Sequence, residues 1–284
     1  MKSDKARKGL LLFLALVVLG STPLIWMALR SGLPAEDERQ LPVLVSLMWV
    51  PALASIITRL VLREGFSDIS FRLGGMTGAK AVAITLAYPI VVGVLAYGIA
   101  SLFHLVEFAA PATGMFVGLN PPGLRFLLTI LLAVTLFALI GLVSAAGEEI
   151  GWRGYMVTRL VDAGVPYPLI VSGLIWAAWH IPGILGGIYA AGPIRWLSAL
   201  LFLGFGVGLS VLWGRLRLTT GSVWPAMLGH AAWNQAFPIF ERYFTETSKG
   251  FWLGESGILS VAIILLVTFA IDRVLTTSKV ARMS

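Results

Sequence analysis

Eight stretches of the sequence are apolar over a length that can cross a lipid bilayer as a helix. A hydrocarbon core about 30 Å thick needs about 20 apolar helical residues. The stretches lie at about residues 9–29, 41–58, 81–103, 124–147 with a helical continuation, 167–188, 197–214, 221–239 and 256–272. The first follows a basic segment, as in a signal peptide, but its apolar run is long and lacks a small-residue cleavage site, so we expect it to be retained. The sequence therefore predicts an all-α, polytopic membrane bundle of about eight transmembrane helices, with residues 1–284 forming a single domain.

The composition excludes several classes of protein. Of the 284 residues, 58% are hydrophobic and 12% are charged, whereas soluble proteins average about 25% charged residues. Because the chain has no cysteine, it has no disulfide framework, no thiolate nucleophile and no cysteine-ligated metal. The formal net charge is +7, but the basic residues are scattered singly between apolar runs. This pattern favours anchoring in a membrane and predicts no nucleic-acid partner.

The positions of the basic residues predict the orientation of the chain. Cytoplasmic loops of membrane proteins carry an excess of Lys and Arg. With a cytoplasmic amino terminus, the loops on that side hold Arg59, Arg63, Arg72, Lys80, Arg153, Arg159, Arg215, Arg217, Arg273, Lys279 and Arg282. The opposite loops hold Glu36, Asp37, Glu38, Glu107, Glu241, Glu246 and Glu255, with fewer basic residues. We predict a multi-pass protein of the cell membrane with both termini in the cytoplasm.

Four ionisable residues lie within the apolar stretches, where a charge is costly and function is the default hypothesis. They are Glu148, Glu149, His180 and His230. Counted along each helix from the nearest predicted cytoplasmic marker, Glu148, His180 and His230 share a depth of roughly 16–20 Å. We therefore expect one carboxylate and two imidazoles to meet, in a site open to the cytoplasmic side. Taken alone, each histidine is equally consistent with a hydrogen-bonded core residue, and His104 is interpreted as an interfacial residue.

The spacing within each helix suggests how these groups are arranged. Glu149 and Arg153 are four residues apart and can form an intrahelical ion pair, whereas Glu148 points about 100° away. His230 and Asn234 are also four apart, so both side chains point toward one small volume, where they can stabilise an oxyanion. In the stretch that carries His180, Trp176 and Trp179 flank the histidine. Pro182 and the glycines that follow it predict a change of chain direction there.

Three ordered motifs resemble those of a known family. They are EEIGWR at 148–153, an aromatic residue followed by three residues and a histidine at Trp176 and His180, and His230 with Asn234 in HAAWN. This order resembles the CPBP family of CAAX-processing and bacteriocin-processing intramembrane proteases, also called the Abi family, which includes the type II CAAX prenyl endopeptidases. The resemblance implies an eight-span intramembrane protease with a motif core at about 124–239.

The resemblance also implies roles for the individual residues. Glu148 and His180 would activate the attacking water, and His230 with Asn234 would stabilise the tetrahedral oxyanion. Glu149 and Arg153 would orient the site, and Trp176 and Trp179 would contribute to the substrate pocket. The implied substrate is a membrane-embedded or lipidated peptide or protein, possible examples being a CAAX-type or bacteriocin-related peptide, that enters from the cytoplasmic side or laterally from the lipid bilayer.

Two questions remain open at the level of sequence. The first is the cofactor: Glu148, His180 and His230 could ligate zinc, but there is no His-Glu-x-x-His helix and no third imidazole at that depth, so a metal-free mechanism is favoured and no cofactor is assigned. The second is activity, since a non-catalytic immunity protein or a proton-coupled transporter could also bury these residues. The absence of an internal repeat weighs against transport. The natural substrate and the oligomeric state are not predicted.

Overall fold

The computed structural model describes residues 2–35, 37–247 and 250–280, and it confirms the helical bundle predicted from hydropathy. Each apolar stretch corresponds to one helix. The helices are α1 (Lys2–Ser31), α2 (Leu41–Leu62, after a single 3-10 turn at Glu38–Gln40), α3 (Gly75–Leu102), α4 (Pro122–Asp162), α5 (Pro168–Gly186), α6 (Arg195–Thr220), α7 (Trp224–Tyr243) and α8 (Ile258–Val280).

Seven of these helices, α1 to α6 and α8, are long and apolar enough to cross a membrane. The chain is therefore an integral, multi-pass membrane protein. The remaining helix, α7, falls outside this group because it carries polar residues such as His230, Asn234 and Glu241. It packs against α3 and α4, and most of its residues are buried. The surrounding protein thus solvates the polar groups that lipid would not.

The longest helix, α4, runs for 41 residues and contains two π-helical segments, Ala133–Phe137 and Trp152–Met156. Between these segments it crosses α2 at very close range. A Cβ atom added to Gly151 would lie 2.4 Å from Cβ of Pro51, and one added to Gly147 would lie 2.7 Å from the backbone oxygen of Met48. Glycines four residues apart allow two membrane helices to approach backbone to backbone. This contact fixes the height at which α4 presents Glu148 and Glu149.

The helices alternate in direction, so the bundle has two distinct ends. The terminal end carries the start of α1, the end of α8 and the short connections 63–74, 163–167 and 221–223. The strand end carries the connections 32–37, 103–121, 187–194 and 244–257. At the strand end, Val106–Phe108 (β1) pairs antiparallel with Phe244–Glu246 (β2). In addition, Ala35 N donates to Ile188 O at 3.1 Å, so these connections form one joined surface.

Candidate active site

A cavity of about 1120 Å³ lies in the half of the bundle nearer the strand end. Its walls come from α1, α2, α4, α5, α7 and the connections 187–194 and 244–257. Glu148, His180, His230 and Asn234 all line it. Three helices therefore bring the four candidate catalytic residues to one cavity, as their matched depths predicted.

Glu148 forms part of the cavity floor and is 2% exposed. Its Oε2 accepts a hydrogen bond of 2.8 Å from Nε1 of Trp176 on α5. Its Oε1 is not engaged by any residue in the described part of the chain. One oxygen thus fixes the orientation of the carboxylate, and the other is available to a molecule in the cavity.

The His180 ring is oriented by its own helix and by neighbouring aromatic rings. Its Nδ1 lies 2.9 Å from the backbone oxygen of Trp176. Because a carbonyl oxygen can only accept, Nδ1 carries the proton and Nε2 of the neutral ring is an acceptor. The ring packs edge-on against Trp179, with centroids 4.8 Å apart, and also lies against Tyr189. The expected change of chain direction occurs at Gly187, which has φ of 79°.

The second glutamate of the motif, Glu149, is fully buried behind the cavity. Its Oε1 accepts 2.7 Å from Nη1 of Arg153, which confirms the predicted intrahelical pair. The same oxygen lies 2.8 Å from Nδ1 of His230 on α7, a contact that the sequence did not predict. The Arg153 guanidinium stacks over Trp176 and Trp213, at 4.6 and 5.1 Å from the ring centroids. Glu149 and Arg153 therefore support His230 from behind and have no access to the cavity.

His230 and Asn234 occupy one face of α7, as their spacing predicted. The His230 ring stacks on Trp213 with centroids 5.2 Å apart and planes 15° apart, so its position is fixed by stacking and by Glu149. Asn234 lines the cavity one turn further along. Its amide has no hydrogen-bond partner among the residues that the structure describes, and can therefore donate to a ligand.

The two tryptophans predicted to form the substrate pocket differ in position. Trp179 lines the cavity, and its Nε1 donates to Oγ of Ser21 on α1 at 2.8 Å. Trp176 is 2% exposed and lies behind Glu148, outside the cavity wall. Its position four residues before His180 aims the indole at α4 instead of at the open space. Trp176 is thus a hydrogen-bond partner of Glu148 and is not among the residues that line the cavity.

The cavity opens at the end of the bundle opposite to the one that carries the termini. The site was expected to open toward the terminal end, but the lining residues outside the floor lie at the strand end. On the terminal side, the space between the helices is filled by Trp152, Arg153 and Trp213, each at most 1% exposed. The depths counted along the three helices agree with one another. They place Glu148, His180 and His230 beyond this aromatic layer, in the half of the bundle nearer the strand end.

Two further cavity residues, Tyr189 and Glu255, were missed. The Tyr189 hydroxyl donates to Oε2 of Glu255 at 2.5 Å, and Nε1 of Trp233 donates to Oε1 at 2.8 Å. Burial raises the pKa of the Glu255 carboxyl, although these two hydrogen bonds oppose the shift. In the sequence Glu255 directly precedes the last apolar stretch, so it was interpreted as an ordinary loop residue. The only available signal was its position at that boundary.

The residues do not fit a zinc site. In the described ranges, no group of three or more His, Asp or Glu side chains is placed to hold a metal ion. We therefore derive no chemical step through a metal.

Residues 125–236 match a protein-family model described as type II CAAX prenyl endopeptidase Rce1-like. This segment is therefore similar to the CAAX-processing proteases of the CPBP family. The matched segment runs from α4 into α7 and includes Glu148, His180, His230 and Asn234. A comparison with curated proteins finds no matching relative. This similarity supports, in general terms, a CAAX-type intramembrane endopeptidase.

Proposed function

We propose that this protein hydrolyses a peptide bond in a membrane-embedded or lipidated substrate, using Glu148 and His180 to activate water. His230 and Asn234 stabilise the tetrahedral oxyanion. The observation that carries the proposal is the shared cavity: an oriented carboxylate, two oriented imidazoles and a free amide line one space between the helices.

The first step is the addition of water to the scissile carbonyl. A water molecule between Oε1 of Glu148 and Nε2 of His180 loses a proton to the carboxylate while its oxygen attacks the carbonyl carbon. The negative charge that develops on the carbonyl oxygen is stabilised by His230 and Asn234. A His230 imidazolium donates at both nitrogens, from Nδ1 to Glu149 and from Nε2 to the oxyanion. The proton held by Glu148 then passes to the leaving amine as the carbon–nitrogen bond breaks.

The surroundings of these groups favour this chemistry. The Trp176 hydrogen bond orients Glu148, and both histidines are oriented through Nδ1, so little reorganisation is needed when charge develops. Donors that are already fixed in position stabilise developing charge better than water molecules, which must first reorient. Glu149 accepts from both Arg153 and Nδ1 of His230, and the carboxylates of Glu148 and Glu149 together balance the charges of Arg153 and a protonated His230.

The test is a cleavage assay on purified protein, with a prenylated CAAX peptide and membrane-extracted proteins as substrates. Glu148→Gln keeps the size of the side chain and its bond to Trp176 but removes the base, so we expect turnover to be lost while the protein stays folded. Glu107→Gln is the matched control, because Glu107 is exposed on β1 and lies outside the cavity lining. Equal cleavage by the wild type and Glu148→Gln would contradict the proposal.

A chelator added to the same assay tests the metal-free mechanism. Activity should persist, and metal analysis of the active protein should find less than one zinc per chain. Stoichiometric zinc whose removal and return switch cleavage off and on would contradict the assignment of water activation to Glu148 and His180 alone.

A further inference from the structure

We infer that the cavity opens to the extracytoplasmic side of the membrane, so that the substrate is a membrane-anchored peptide whose scissile segment lies on that side. The identification of this molecule as a substrate rests on the proposed function, whereas the direction of opening does not. The inference combines the path of access to the cavity with the distribution of charge between the two ends of the bundle.

Access to the cavity is possible from one end of the bundle. The floor is formed by Glu148, His180 and His230, and the buried layer of Trp152, Arg153 and Trp213 closes the bundle on the terminal side. Above the floor, the wall is built from connections at the strand end, among them 188–192 and 250–256. A substrate therefore reaches Glu148 from the strand end or from the lipid beside it.

The two ends differ in charge. At the terminal end, basic residues outnumber acidic ones, with groups such as Lys5, Arg7 and Lys8 on α1 and Arg59, Arg63 and Arg72 around the 63–74 connection. At the strand end, acidic residues offset the arginines. Those in the described ranges are Asp37, Glu38, Glu107, Glu241, Glu246 and Glu255. By the positive-inside rule, the terminal end is cytoplasmic. The strand end, and the cavity mouth with it, is then extracytoplasmic.

The two walls of the cavity suit a peptide at the boundary between lipid and water. One wall is apolar and is formed by α1 and α2 through Ile25, Ala28, Leu41, Leu44, Val45 and Met48. The opposite wall carries polar groups of α7 and the connection that follows it, including Gln235 and Glu241. An apolar membrane anchor fits against the first wall, and the polar chain that emerges from the membrane fits against the second.

The absence of cysteine from the chain allows a direct test by single-cysteine labelling. Ala191→Cys places a thiol at an exposed position of the cavity lining, and Ser67→Cys places one at an exposed position of the terminal end. Full-length variants in right-side-out and inside-out membrane vesicles are treated with a membrane-impermeant maleimide. We expect Ala191→Cys to react at least tenfold faster in right-side-out vesicles, and Ser67→Cys to react at least tenfold faster in inside-out vesicles.

Two labelling outcomes would overturn the inference. One is faster labelling of Ala191→Cys in inside-out vesicles together with faster labelling of Ser67→Cys in right-side-out vesicles. The other is reaction of Ala191→Cys only after detergent denaturation, which would mean that the cavity does not open at the strand end. Because labelling needs no catalysis, its result is independent of the proposed function.

A second measurement tests the substrate. A single-span reporter carries the same cleavable segment on either its extracytoplasmic or its cytoplasmic side, and it is coexpressed with the wild type or with Glu148→Gln. We expect Glu148-dependent cleavage of the extracytoplasmic version alone. Cleavage of the cytoplasmic version alone would overturn the inference and leave the proposed function standing. If neither version is cleaved but the labelling is as expected, the inferred substrate and the proposed function are contradicted. The direction of opening is still established by the labelling.

Discussion

At the scale of single residues, the neighbouring side chains Glu148 and Glu149 have contrasting surroundings. Glu148 is on the cavity floor with one oxygen fixed by Trp176, and Glu149 is buried between Arg153 and His230. Consecutive helical residues point about 100° apart, so one helix can present a reactive carboxylate and hold a second one behind it. We therefore expect substitutions behind the cavity to lower stability and substitutions of the cavity residues to lower turnover.

Removing Arg153 should destabilise the protein. The Arg153→Ala variant leaves the Glu149 carboxylate buried without its guanidinium partner, a change that typically costs about 3–5 kcal/mol. We expect a lower yield and a lower midpoint of thermal unfolding in detergent. Arg7→Ala, at an exposed site of α1, is the control and should unfold like the wild type. If both variants unfold at the wild-type temperature, Glu149 and Arg153 do not stabilise the bundle.

Removing either oxyanion donor should affect turnover more than binding. His230→Ala should lower kcat by about 10²–10³ with a small change in substrate affinity, because such a donor acts mainly in the transition state. Asn234→Ala should retain a somewhat higher residual rate if the imidazole is the stronger donor. The measurement is single-turnover cleavage together with substrate affinity in nanodiscs. Glu107→Gln, exposed on β1 and outside the cavity lining, is the control and should cleave like the wild type. Unchanged cleavage in His230→Ala would remove this residue from the mechanism.

At the scale of elements, the position of the site depends on how closely α4 approaches α2. Gly147 and Gly151 lie against the backbone of α2 from Met48 to Pro51, immediately before the π-helical segment Trp152–Met156. A π-helical turn changes the direction of the side chains that follow it and is frequent at functional sites. The close crossing and the π segment together set the orientation of Arg153 relative to the glutamates.

The close crossing predicts that Gly151→Ala is destabilising. The added methyl group would lie 2.4 Å from Cβ and 2.6 Å from the backbone oxygen of Pro51, so the helices must separate. Overpacking of this kind costs about 1–3 kcal/mol. Gly123→Ala, in the first turn of the same helix, is the control because its new Cβ would meet nothing within 4 Å. The measurement is the midpoint of thermal unfolding of both variants. Equal midpoints for Gly151→Ala and Gly123→Ala would show that α2 can move away from α4 without loss of stability.

At the scale of the whole molecule, ion pairs tie the terminal end together. Arg159 at the end of α4 donates to Oε2 of Glu64 at 2.9 Å and to Oδ2 of Asp68 at 2.7 Å. Arg59 of α2 also donates to Asp68, and Arg217 of α6 donates to the Asp68 backbone oxygen. The 63–74 connection is therefore fixed to three helices on the side away from the cavity.

This network predicts loss of stability in acid. Burial alone would raise the pKa of the Asp68 carboxyl, but hydrogen bonds from Arg59 and Arg159 outweigh it and lower the pKa below its ordinary 3.8. A pKa lowered in the folded state gives stability that is present above about pH 4 and is lost as the pH falls through the folded value. The unfolding temperature should drop in that range, and the drop should be smaller in Asp68→Asn, which starts from a lower value at neutral pH.

Asp162→Asn is the control for this pH profile. Asp162 lies 3.7 Å from the same Arg159, but its side chain is 55% exposed, so solvent screens the pair. We expect its profile to match that of the wild type. Parallel profiles for Asp68→Asn and the wild type would show that Asp68 does not contribute to the acid response.

The sequence by itself determined the features that depend on neighbours along the chain. The helices followed from apolar runs of bilayer length, and the Glu149–Arg153 pair followed from a spacing of four residues. The matched depths of Glu148, His180 and His230 also followed, because helical rise is constant. The family motifs identified the same three helices without any knowledge of how they pack.

Only the tertiary structure decided which groups meet across helices. The bonds from Trp176 to Glu148 and from Glu149 to His230, and the position of Glu255 beside Tyr189, join residues distant in sequence whose relative rotation is set by the packing of α4, α5 and α7. The end at which the cavity opens was decided in the same way. Depth counted along single helices is independent of what fills the space between them, and the buried tryptophans fill that space on the terminal side alone.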